Sequence, residues 1–280
     1  MIFATTRPQS ARIALFRPPY DKFEAIDATW TPAQIPARGM ALIWWLEDGK
    51  EQEKEFRYLH DRAWGLPLFI VLPPPMELTR ALPLLPYINA LNPRAVLPCA
   101  PLVSPPHLRA LLSTPPRNLP GAITHYLAWR GLIPDDEIRK KIAGILSAAP
   151  EITSVSKLAR RLYTSRRTLG RHFAAAGLPV PSHWLQFARL IYAVVMLHDA
   201  QAPISRIATR AGYPDGFTMS NQMKRLIGIR PSEVRRHLGW EWVTEAWISR
   251  EAQNGGFDLE RYRDQVGVYT ASRQGQRNGA

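Results

Sequence analysis

The sequence predicts two domains: an α/β N-terminal domain with a parallel sheet, and an all-α C-terminal domain in which two helix-turn-helix units are joined by one long helix. Three observations predict this. In the first half, short apolar runs alternate with stretches whose apolar residues fall at helical spacing, the pattern of strands alternating with helices. Between residues 151 and 238, apolar positions recur every three or four residues and are punctuated by cap residues and glycines. That segment also holds 14 Lys and Arg against 4 Asp and Glu, most of the chain's net charge of +13. Residues 1–150 hold 17 against 13, and residues 239–280 hold 5 against 6. So short a basic segment attracts polyanions, nucleic acid first and an anionic membrane surface second.

Composition narrows the class. With 46% hydrophobic residues in 280, a packed core forms and bulk disorder is excluded. The single cysteine, Cys99, cannot form an internal disulfide or a multi-cysteine zinc site. No apolar run reaches the roughly 18 residues that span a bilayer. Met1-Ile2-Phe3-Ala4 lacks the basic and apolar regions of a signal peptide, so a soluble, cytoplasmic protein is expected.

In the first half, Arg12–Phe16, Ala41–Leu46, Leu66–Leu72 and Arg94–Leu97 read as strands. Lys50–Trp64 reads as a helix, with Phe56, Leu59 and Ala63 at helical spacing. A second helix is expected around Glu77–Leu91, interrupted by Pro83 and Pro86, and a further turn or two at Pro106–Leu112. Asp135 caps a helix to about Ala148, on which Ile138, Ile142, Ile145 and Leu146 form one stripe. The expected division is a sensing or dimerisation domain over 1–118, a linker and connecting helix over 119–150, a DNA-binding domain over 151–240, and a C-terminal helix with a flexible tail over 241–280.

The first helix-turn-helix unit opens at a Thr153 or Ser154 cap, with Val155, Leu158, Ala159 and Leu162 on its inner face. Ser165 caps a second helix that ends at Ala176, before Gly177. Leu169 and Phe173 face inward there, which turns Arg167 and Arg171 outward with Gly170 alongside, next to Arg166 and Thr168. Outward arginines on a short helix match guanine O6 and N7 in a major groove. The second unit repeats the layout: Ile204, Ile207, Ala208 and Ala211, then the turn Gly212-Tyr213-Pro214, then an Asp215 cap. Met219 and Met223 face inward; Gly216, Phe217, Thr218, Ser220, Asn221 and Lys224 are the candidate contacts. Phe217 either meets a thymine methyl or packs on the neighbouring domain. Arg160 and Arg225 suit phosphates better than bases. Between the units, Pro181–His198 reads as a buried helical spine.

These residues resemble the AraC/XylS family of bacterial regulators over about 152–238. The resemblance rests on Leu158-Ala159, Ser165-x3-Leu169-x-Arg171-x-Phe173, Gly177 and Arg189. It continues through Ile204-x2-Ile207-Ala208-x3-Gly212-Tyr213-x-Asp215 and ends at Gly228-Ile229-x-Pro231-Ser232 and Arg235. It implies two recognition helices in successive major-groove segments, in a bacterial, nucleoid-associated protein. Two departures stand out: Met219 and Met223 replace the family's aromatic core residues, and Asn221 replaces its arginine. The first unit should therefore carry most of the affinity.

The N-terminal half loosely resembles the receiver domain of two-component systems, with the four strands above as its first, third, fourth and fifth. Its active chemistry does not match. Arg17-Pro18 stands where an acidic pair belongs, Pro73 where a hydroxyl belongs and Ala100 where a lysine belongs; Asp48 alone falls near the phosphoacceptor position, and Pro101 matches the proline that follows the lysine. A degenerate domain without aspartyl phosphorylation is expected. The family's commoner sugar-binding barrel disagrees with the helix patterns at 50–64 and 77–91.

The function expected is a sequence-specific, DNA-binding transcription regulator and not an enzyme, with no catalytic residue, metal or cofactor. The partners expected are double-stranded DNA, RNA polymerase and a second copy of the chain, with an unknown small-molecule effector and no membrane. Two alternatives are an α/β enzyme or cysteine-based sensor with DNA binding as its output, and a non-specific DNA binder. Cys99 is expected to be buried and structural. His60, His107 and His125 lack metal-ligand spacing. Trp240, Val243 and Trp247 are expected to pack on the body of the protein.

Overall fold

The computed structural model describes residues 11–26, 31–47, 52–74, 84–99, 102–152, 154–199 and 201–257. Asp48, Ala100, Pro101, Thr153, the beginning of the helix expected from Glu77 and the expected tail lie outside them. The chain divides into two units, one of residues 1–113 and 236–242, the other of residues 114–235 and 243–280.

The first unit is a five-stranded sheet of order β2-β1-β3-β4-β5. Its strands are β1 (Ile13–Phe16), β2 (Glu24–Ala25), β3 (Ala41–Trp45), β4 (Leu68–Val71) and β5 (Ala95–Leu97). β3, β4 and β5 run parallel, with Ile43 beside Phe69 and Phe69 beside Ala95. The helices α1 (Gln52–His60) and α2 (Leu85–Ala90) lie in the connections between them, and α3 (Pro105–Ser113) follows β5. β4 is buried at all four residues, as its uninterrupted Leu-Phe-Ile-Val requires.

The sheet is mixed, which corrects the expectation of an all-parallel one. β1 is antiparallel to both β2 and β3, with Phe16 beside Ala41 and Ile13 beside Trp44. The physical reason is the connection. A parallel crossover needs a dozen or more residues and usually a helix, whereas β1 reaches β3 through β2 and the 3₁₀ turn Pro32–Gln34. This also removes the receiver arrangement. Arg17 and Pro18 follow the end of β1 that lies beside the start of β3, at the opposite end of the sheet from Pro73 and the end of β5.

The core of this unit joins Phe16, Tyr20, Phe23, Ile43, Phe69, Val71, Leu108 and Leu112 with Leu238, from the segment that returns to it. Tyr20 ties that segment down: its hydroxyl donates to the Gly39 carbonyl at 2.6 Å and accepts from the Leu238 amide at 2.8 Å. Arg94 pairs with Glu241 at 2.6 Å and lies over the Trp240 ring. Cys99 is half-buried, not buried as expected.

The second unit is helical. α4 (Leu119–Trp129) and α5 (Asp136–Ala148) precede the two helix-turn-helix units. Asp135 accepts from the Ile138 amide at 2.8 Å, and the Ile138, Ile142, Ile145, Leu146 stripe is buried as its spacing predicts. α6 (Val155–Arg161) and α7 (Arg166–Ala175) form the first helix-turn-helix unit. α8 (Pro181–Leu197) is the spine, with eleven buried residues. α9 (Ile204–Arg210) and α10 (Gly216–Ile227) form the second unit; the short α11 (Pro231–Val234) and α12 (Glu241–Gln253) follow. No helix of the described residues is long and apolar enough to cross a membrane.

Candidate nucleic-acid interface

In the first unit, Ser154 caps α6 by accepting from the Lys157 amide, and Leu158 and Ala159 are buried. Val155 and Leu162, expected on the same inner face, are only half-buried. The chain then turns through Leu162, Tyr163 and Thr164 to Ser165, which accepts from the Thr168 amide at 3.0 Å and starts α7. Leu169 and Phe173 are fully buried, so the spacing fixes which side of α7 faces out. Arg166, Arg167 and Arg171 are exposed there, and nothing lies within 4 Å of a Cβ built on Gly170. No acid pairs with these arginines among the described residues. In the sheet unit, by contrast, Arg12, Arg17 and Arg94 each pair with a glutamate.

Counted from the caps of α7 and α10, the second reading helix repeats the first in register. Asp215 accepts from the Thr218 amide at 2.7 Å, as Ser165 does from Thr168. Met219 and Met223 occupy the fully buried places of Leu169 and Phe173. Methionine fills the same space because its unbranched chain adapts to irregular gaps. Counted from the caps, Phe217 stands where Arg167 does and Asn221 where Arg171 does. Both are outward, and Phe217 is 77% exposed, so its ring does not pack into a core. Together the two units set out three arginines on one helix, and an aromatic ring, an amide and Lys224 on the other.

A family model described as "Helix-turn-helix domain" matches residues 158–237. A protein of Streptomyces antibioticus named "Putative AraC-like transcription regulator" is 31% identical over 84 residues, which are 30% of this chain and 28% of that protein. The double helix-turn-helix domain is thus similar to that of an AraC-like regulator. No solved structure matches the chain, which spans just over a quarter of the length of the curated relative it matches.

Within this domain, the remaining candidate residues fall into distinct positions. Arg160, at the end of α6, and Lys224, in the last turn of α10, are exposed. Arg225 is tied to the spine by donating to Gln186 Oε1 at 2.9 Å. Three hydroxyls expected to face DNA are engaged locally: Thr168 with the Ser165 hydroxyl at 2.8 Å, Thr218 with Asp215 Oδ2 at 3.1 Å, and Ser220 with the Gly216 carbonyl at 2.8 Å. Gly216 has a packing reason of its own, because a Cβ there would come within 3.2 Å of Ile204 Cγ2.

Three sets of contacts in the domain are not stated by its motif, although Arg189 and Gly212 belong to it. Arg189 of the spine donates to the Ile152 carbonyl at 2.7 Å, joining α8 to the segment ahead of α6. A Cβ on Gly212 would make only ordinary contact with Arg189 Nε, at 3.4 Å, so this turn is glycine for its backbone, with φ +80°. Burial lowers the Arg189 pKa and raises that of the Tyr213 hydroxyl. The spine's Trp184 lies edge-on to Trp247 of α12, and Phe187 stacks on Trp247 at 4.2 Å. Packing of Trp247 within the helical unit is thus as expected, whereas Trp240 belongs to the sheet unit. The amide hydrogen bond from Thr218 holds the Asp215 carboxyl below its ordinary value. Among the described residues no group of His, Cys, Asp and Glu could hold a metal ion.

Proposed function

We propose that this protein is a sequence-specific DNA-binding transcription regulator that reads two successive major-groove segments with α7 and α10. The observation that carries the reading is the outward, acid-free set Arg166, Arg167 and Arg171 on a helix whose opposite side is locked into the core. A guanidinium held this way can bond guanine O6 and N7 at two points. The relative's printed name supports transcription regulation as the output. α10 offers adenine recognition through Asn221 and methyl contact through Phe217, with less charge, so α7 dominates affinity. Arg160, Arg225 and Lys224 supply backbone attraction. A second copy of the chain and RNA polymerase are the protein partners of this reading, and the sheet unit is its sensing or dimerisation part.

The test is selection from a pool of random duplexes with the full chain. The reading expects enrichment of one asymmetric site. Uniform retention of the pool, with no enriched sequence, would overturn it in favour of non-specific binding.

A further inference from the structure

The turn of the first helix-turn-helix unit holds a residue that the fold disfavours. Tyr163 has φ +51° and a side chain that is 100% exposed. The second unit shows what the turn requires. Gly212 holds the same place with φ +80°, and its amide donates to the Thr209 carbonyl at 3.1 Å while the next amide, of Tyr213, donates to Ala208 at 2.9 Å. In the first unit the Tyr163 amide donates to Arg160 at 3.1 Å, and the next amide, of Thr164, donates to Ala159 at 3.0 Å. The backbone pattern is the same, and glycine adopts it without steric cost, whereas a side chain does not.

Full exposure means that the ring gains nothing from packing in its own unit to offset that strain. Its surroundings in the chain are cationic: Arg160 and Arg161 close the helix before it, and Arg166 and Arg167 open the helix after it, all exposed. A phenol amid four arginines, two residues before the cap of α7, suits a polyanion that also has hydrogen-bond acceptors. Strain held at an exposed, functionally placed residue is the expected mark of a ligand contact.

We propose that Tyr163 is a contact of the first unit to the DNA backbone, its hydroxyl donating to a phosphate oxygen beside the groove that α7 occupies. This rests on the reading of α7 as a DNA-facing helix. It adds a residue that positions the helix without reading sequence.

The experiment compares full-length wild type, Tyr163→Gly and Tyr163→Phe on two duplexes, one enriched by the wild type and one of random sequence. Tyr163→Gly relieves the turn and should raise Tm by about 2–4 °C. The same variant should bind both duplexes about 3- to 10-fold more weakly, through the lost hydrogen bond. Its salt dependence should match the wild type's, because a neutral phenol releases no counterion. Tyr163→Phe should show the weaker binding without the gain in Tm. Wild-type affinity of Tyr163→Gly on both duplexes would overturn the proposal, and so would a loss confined to the enriched one. If the wild type enriches no sequence, the specific-regulator reading fails, while the random duplex still tests Tyr163.

Discussion

Arg130 and Glu245 form an ion pair sealed from solvent, Nε to Oε1 at 2.7 Å and Nη2 to Oε2 at 3.0 Å, with side-chain exposures of 0% and 1%. They join α4 to α12 within the helical unit, and Tyr126 donates its hydroxyl to the same carboxylate at 2.8 Å. Removing one member leaves the other charge buried and uncompensated. Glu245→Ala or Arg130→Ala should therefore cost about 3–5 kcal/mol. Replacing all three polar groups, as Arg130→Met with Glu245→Leu and Tyr126→Phe, should recover most of that loss. Urea unfolding of the four proteins checks this. A triple variant no more stable than Glu245→Ala would show that the pair is a net stabiliser.

Asp215 gives the second reading helix a pH-dependent cap. Its pKa lies below the ordinary 3.8 because the Thr218 amide bonds the ionised form. For a lowered carboxyl the sign is fixed: the stabilisation is fully present above 3.8 and is lost as pH falls through the folded-state value. Asp215→Asn keeps a capping oxygen without the charge. Wild type should therefore melt above Asp215→Asn near neutrality, and the gap should close on acidification. A gap that stays constant down the titration would contradict this origin. Asp215→Ala should be the least stable at neutral pH.

Gly170 lies mid-helix on the outward side of α7, with open space where its Cβ would be. Gly170→Ala should stabilise the free protein by about 0.5–1 kcal/mol through helix propensity. The added methyl should weaken DNA binding if base edges approach the helix closely there. Thermal melts and titration with the enriched duplex separate the two effects. Unchanged affinity would show that Gly170 stands clear of the groove.

Much of the helical unit was legible in the sequence because its information is local. Ser154, Ser165 and Asp215 cap where their spacing from apolar residues predicts, and Leu169, Phe173, Met219 and Met223 are buried as pattern requires. What was not legible is carried by pairings distant in the chain. Nothing near Arg130 announces Glu245, 115 residues away, and a charged residue in a helix reads by default as solvent-facing. Four of the five strands were readable from apolar runs, but β2, only Glu24-Ala25, was not. Strand direction was not readable either, because β1 is equally apolar whichever way it runs. Tyr163 was invisible to pattern because a lone tyrosine in a turn carries no periodicity; aligning the two turns on the last residues of α6 and α9, which puts Tyr163 on Gly212, is the signal that finds it. Ser220 was assigned by helical angle alone, which does not say that its hydroxyl bonds back to Gly216.

The arginines of α7 and Asn221 of α10 should separate affinity from specificity. Arg167→Ala or Arg171→Ala should cost about 1–3 kcal/mol on the enriched site and relax base preference there. Arg160→Ala should weaken binding to all sequences alike and lower the salt slope by about 1. Asn221→Arg should raise affinity for random duplex and steepen the salt dependence. Equal losses on specific and random DNA for all three alanine variants would contradict base reading by α7.

The central claim is that two unlike helices read one asymmetric site, and a hydroxyl-radical footprint on the enriched duplex tests it most directly. The account predicts two protected segments on one face of the duplex, about one helical turn apart. Arg171→Ala should weaken the first segment, and Asn221→Ala should weaken only the second. One protected segment that survives intact when Phe217 and Asn221 are both replaced by alanine would contradict it.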